Sequence, residues 1–102
     1  MFDYELVKSA GLKPRHIHRL LNVSRVTASN WLRGATQPHH FMREKTDMLM
    51  AAVQAAVKDE KLPVPDSLPP DERSVRTVAV VKRYMTILQE TAAVVDTIQQ
   101  DS

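Results

Sequence analysis

The chain has 102 residues, 43% of them hydrophobic, no cysteine, and 14 Lys and Arg against 12 Asp and Glu. This length suits one small domain with an appendage, and the lack of cysteine excludes a disulfide framework and a Cys-based zinc site. No apolar run reaches the ~20 residues of a membrane span, and no signal-peptide pattern opens the sequence, so the expectation is a cytoplasmic protein without a membrane partner.

The charge is uneven. Residues 1–50 carry Lys8, Lys13, Arg15, Arg19, Arg25, Arg33, Arg43 and Lys45 against Asp3, Glu5, Glu44 and Asp47, and they also hold all four histidines. The second half is slightly acidic. A basic head on such a tail suits an anionic partner for the head.

In chain order, residues 1–58 read as four helices. Asp3 can cap the first, with Phe2, Leu6, Val7 and Ala10 on one stripe, and Gly11 ends it. Pro14 suits the first position of a second helix that buries Ile17, Leu20 and Leu21 and stops at Asn22, a residue that tolerates the left-handed conformation. Ser24 caps a third helix running to Gly34. Pro38 opens a fourth in which Phe41, Met48, Leu49, Ala52, Val53 and Ala56 share a face.

Residues 59–72, "DEKLPVPDSLPPDE", hold four of the six prolines and read as a semi-rigid linker. Residues 73–100 contain neither Gly nor Pro. There Val78, Val81, Met85, Leu88, Ala92 and Val95 step by three and four, a heptad seam that points to a homodimer. The β-branched run "TVAVVKRYMTI" also allows a strand, but length and the lack of turn residues favour a helix. The expected fold is all-α: a compact four-helix head (1–58), a Pro-rich linker (59–72) and a long C-terminal oligomerisation helix (73–102).

The third helix carries the chemistry. Wrapped at ~100° per residue, "NVSRVTASNWLRG" places Ala28, Trp31 and Leu32 on one side and Val26, Asn30 and Arg33 opposite, with Arg25, Thr27 and Ser29 on the flanks. An outward face of methyls, an amide and guanidiniums is a kit for base edges: Arg on guanine N7 and O6, Asn on adenine, Val on a thymine methyl. Phosphate contacts are expected from the rim, at Lys13, Arg15, Arg19, Gln37, His39, His40, Arg43 and Lys45, with free N–H groups behind Pro38 as an anion site. Histidine charging adds the expectation that DNA affinity rises as pH falls from 8 to about 6.

Other chemistries find little here. His16 and His18 lie two apart on different helix faces and the adjacent His39 and His40 diverge, so no metal is expected. No carboxylate pair, nucleophile–base arrangement or Gly-rich phosphate loop stands out, and the chain reads as a non-enzyme without cofactor or small-molecule substrate.

The stretch "PRHIHRLLNVSRVTASNWLRG", with "ATQP" after it, resembles the helix-turn-helix family of the lambdoid phage Cro and repressor proteins and their bacterial relatives. The resemblance covers roughly residues 3–57. It implies a sequence-specific, double-stranded-DNA-binding transcriptional regulator, a phage or bacterial repressor acting in the bacterial or phage-infected cell. As a dimer it would insert helix 25–33 into the major groove, with half-sites about one helical turn apart. The sequence departs from the family at His18, where a small residue is usual, at Lys13, where a capping hydroxyl or acid is usual, and at Asn22, where Gly is usual. The same head would serve a DNA-binding subunit of a transposition complex. A third reading makes the protein a helical adaptor working through its tail, which a salt titration of duplex binding separates from the other two.

Overall fold

The computed structural model describes the backbone of residues 2–100 and the side chains of residues 2–91. Asp3 starts α1 (Tyr4–Ser9): its carboxylate accepts from the Leu6 N–H at 3.1 Å. Next come α2 (Pro14–Leu21) and α3 (Arg25–Leu32), and after a 3₁₀ turn (His40–Met42) α4 (Arg43–Lys58) and α5 (Pro70–Gln100). The described residues contain no strand, as the all-α expectation requires.

The helix ends follow from local chemistry. At the end of α3, Gly34 adopts φ +71° and the N–H groups of Gly34 and Ala35 return to the carbonyls of Trp31 and Asn30. The same pair of closing bonds ends α4, with Glu60 at φ +62° in the position where glycine is usual. Asn22 takes φ +57° at the end of α2.

One core serves the whole described chain. Phe2, Val7, Ile17, Leu21, Trp31 and Leu32 meet Leu49, Val53 and Ala56 of α4, and the cluster also includes Val81 of α5. The Phe2 and Trp31 rings pack tilted at 5.8 Å between centroids, and the buried Thr46 hydroxyl donates to the Met42 carbonyl.

Three expectations are corrected. The fourth helix does not open at Pro38. His39 caps a 3₁₀ turn, its Nδ1 accepting the Phe41 N–H and its carbonyl accepting that of Met42, and this tighter winding shifts the phase. Phe41 therefore leaves the core face and is 79% exposed, stacked with His39 and His40, whose rings lie 4.2 Å apart instead of diverging.

The Pro-rich segment is no free spacer. Leu62 and Val64 are buried in the core, Leu68 packs against it, and α5 begins at Pro70, inside the expected linker.

The heptad seam is used within the chain. α5 packs chiefly on α4 and also on α2. Val78 and Val81 are buried at 7% and 0% exposure, and Met85 and Leu88 are half-buried against the core. Ala92 and Val95 lie outside the residues whose side chains are described. The physical reason is proximity: an apolar stripe tethered beside an uncovered apolar face meets it at high effective concentration, ahead of a second molecule. No described helix is long and apolar enough to cross a membrane.

Candidate nucleic-acid interface

α2 and α3, eight residues each, pack on one another across the turn 22–24. Ser24 starts α3 by accepting the Thr27 N–H at 3.1 Å while its own hydroxyl donates to Thr27 Oγ1 at 2.8 Å. Ala28, Trp31 and Leu32 point inward, at 0%, 4% and 5% exposure, and anchor α3 to the core. The opposite face is presented outward: Arg25 and Arg33 are exposed and Val26 is 72% exposed.

The six residues expected at base edges are not equivalent. Thr27 is half-buried with its oxygen engaged by the cap, and Ser29 is half-buried beside it. The Arg33 guanidinium donates to Asn30 Oδ1, locking two side chains one turn apart into a unit. Asn30 Oδ1 accepts this bond and keeps a second lone pair, so the pair presents N–H donors together with an acceptor.

The rim residues spread over three places. Lys13 and Arg15 line a cleft with Arg73 and Ser74 of α5. Gln37 and Arg43 flank a hollow beside Phe2 and Pro38. Lys45 sits in a groove with Met48 and Met85. Arg19, His39 and His40 are exposed. Of the N–H groups behind Pro38, those of Phe41 and Met42 are taken by His39.

Two histidines do structural work that their spacing did not reveal. His18 Nδ1–H donates to the Val23 carbonyl at 2.6 Å. His16 is buried at 3% exposure and repairs the cap that Lys13 lacks, its Nδ1 accepting the Lys13 N–H at 2.9 Å. That bond puts the ring proton on Nε2, 3.2 Å from Ser74 Oγ, so Nε2–H donates to the serine. Burial, and then the neighbouring Arg15, Lys13 and Arg19 charges, push the His16 pKa down to about 4. It is neutral at physiological pH and withdrawn from the set of histidines expected to gain charge near DNA. A buried i, i+3 relation to an uncapped helix start was the available signal; Ser74, 58 residues away in sequence, had none.

Comparison with protein-family models, with curated proteins and with solved structures finds no match for this chain.

Proposed function

We propose that the protein binds double-stranded DNA sequence-specifically through α3, as a regulator of transcription. The observation that carries this reading is the division of α3 into a face anchored by Ala28, Trp31 and Leu32 and an outward face of Arg25, Val26, Asn30 and Arg33, set behind the short turn 22–24. A major groove admits one helix presented this way, with the preceding helix braced across the backbone. Val26 suits a thymine methyl, Arg25 and Arg33 suit guanine N7 and O6, and the Asn30 amide suits adenine.

The basic balance of residues 1–50 supports an anionic partner, and Lys13, Arg15, Arg19 and Arg43 are exposed cations that suit phosphates. On α5, Val78 and Val81 are buried and Met85 and Leu88 half-buried against the head, which leaves little of the expected seam for a second copy. The unit of recognition proposed is therefore one head with one α3.

Selection of bound sites from random duplexes tests the reading. The expected result is an enriched motif of a few base pairs with at least one guanine, bound with a steep inverse dependence on salt. Arg25→Ala should relax that motif at one position. No enrichment over random sequence, or binding insensitive to salt, would overturn the proposal.

A further inference from the structure

A cleft of about 480 Å³ opens between the start of α2, the segment 63–66 and the first turns of α5. Three cations line it, Lys13 and Arg15 from α2 and Arg73 from α5, against one acid, Asp66. Asp66 is fully exposed and reaches only Arg73 Nη1, at 3.4 Å. The Arg73 Nε–H is shielded from solvent and has no hydrogen-bond partner among the described residues.

The floor adds a further donor. His16 Nδ1 accepts from the Lys13 backbone, so Nε2–H donates to Ser74 Oγ and leaves the serine hydroxyl hydrogen free to donate elsewhere. Ser74 lines the same cleft. Guanidiniums, an ammonium and a hydroxyl from two separate helices thus converge on one space that is short of acceptors. A planar carboxylate presents two oxygens in one plane, whereas a tetrahedral phosphate accepts from several directions at once and matches a guanidinium fork on any of its edges.

We propose that this cleft is a phosphate-binding site joining α2 to α5. The phosphate is either that of a DNA backbone or that of a small phosphorylated molecule. Either occupant, by bridging Lys13 and Arg15 to Arg73, would tie the brace helix of the α2–α3 pair to the C-terminal helix. This inference stands apart from the reading of α3, because the phosphate ion alone is its first probe.

The test titrates the full ¹⁵N-labelled chain with inorganic phosphate at constant ionic strength, using chloride as the matched control. Saturable shifts are expected at the amides of residues 13–16 and 73–77, with no comparable response to chloride. Arg73→Gln and Arg15→Gln should each weaken binding by about tenfold, while Lys58→Gln, exposed at the end of α4 and outside the cleft, should leave it unchanged. Arg15 is exposed, so its variant decides the matter if Arg73→Gln fails to fold.

A response that fails to saturate, that chloride reproduces (an adventitious ion only), or that Lys58→Gln weakens equally would overturn the site. Adding duplex to the phosphate-saturated chain separates the two sources. Displacement of phosphate assigns the cleft to the DNA backbone, and joint occupancy assigns it to a free phosphorylated molecule. A chain that binds phosphate at these residues but no duplex retains the cleft and loses only the reading of α3.

Discussion

His18 closes the turn that aims α3: its Nδ1–H donates to the Val23 carbonyl at 2.6 Å, across the left-handed Asn22. The bond ties the last turn of α2 to the residue preceding the Ser24 cap, so a side chain holds the passage between the two helices. His18→Ala should cost about 1 kcal/mol in urea unfolding, since it removes one hydrogen bond and leaves the half-buried Val23 with an unpaired carbonyl. Equal midpoints for the two proteins would show that the bond does not hold the turn.

Gly34 and Glu60 occupy the same left-handed position at the ends of α3 and α4, and opposite outcomes are expected of them. A Cβ at Gly34 would stand 2.9 Å from the Tyr4 ring as well as at an unfavourable φ, so Gly34→Ala should destabilise by about 1–3 kcal/mol. Glu60→Gly relieves the strain of a side chain at φ +62° and should stabilise by about 0.5–1 kcal/mol, despite the added freedom of the unfolded chain. Thermal melts of both variants check the pair. A less stable Glu60→Gly would mean that its side chain matters more than its backbone.

Val81 is completely buried, so its replacement reports on the fold before it reports on association. Val81→Asp should destabilise the chain by about 3 kcal/mol or more, because it places a charge among apolar groups. By the same argument a chain ending at Pro65 loses the cover of α4 and α2, and it should give the poorly dispersed amide spectrum of a loosely packed globule. A well-dispersed spectrum from that fragment would restore the independent four-helix head.

Acid should act through His16. Its pKa is about 4 in the folded chain against 6.5 when unfolded, so the unfolded state takes up the proton first. Stability is unaffected by this group above pH 6.5, falls as pH drops below 6.5, and levels off below about 4, for a total loss on the order of 3 kcal/mol. His16→Gln, which keeps an acceptor for the Lys13 N–H without the titration, should flatten the stability profile between pH 6.5 and 4. An unchanged slope would assign the acid sensitivity to other groups.

At the proposed interface, breaking the Asn30–Arg33 unit should change preference before affinity. Asn30→Ala frees the Arg33 guanidinium, and selected sites should lose discrimination at one position by about 1–3 kcal/mol while binding to random duplex is nearly kept. A uniform loss on every sequence would make Asn30 a backbone contact.

The sequence by itself determined what acts over a few residues. Asp3, Ser24, Gly11, Gly34 and Asn22 mark helix ends because capping oxygens and left-handed positions are local requirements. Period alone separated Ala28, Trp31 and Leu32 from Val26, Asn30 and Arg33. Tertiary structure decided which surfaces those elements meet. The seam of Val78, Val81, Met85 and Leu88 is the same pattern whether its partner is a second copy or the chain's own α4, and only the position of α4 next to the 59–69 segment made the partner internal. Phe41 left the core because a 3₁₀ turn, capped by a residue two positions away, shifted its phase by a fraction of a turn. The meeting of Lys13, Arg15 and His16 with Arg73 and Ser74 depends on side chains nearly sixty residues apart, and packing between helices, with no local pattern to announce it, put them in one cleft.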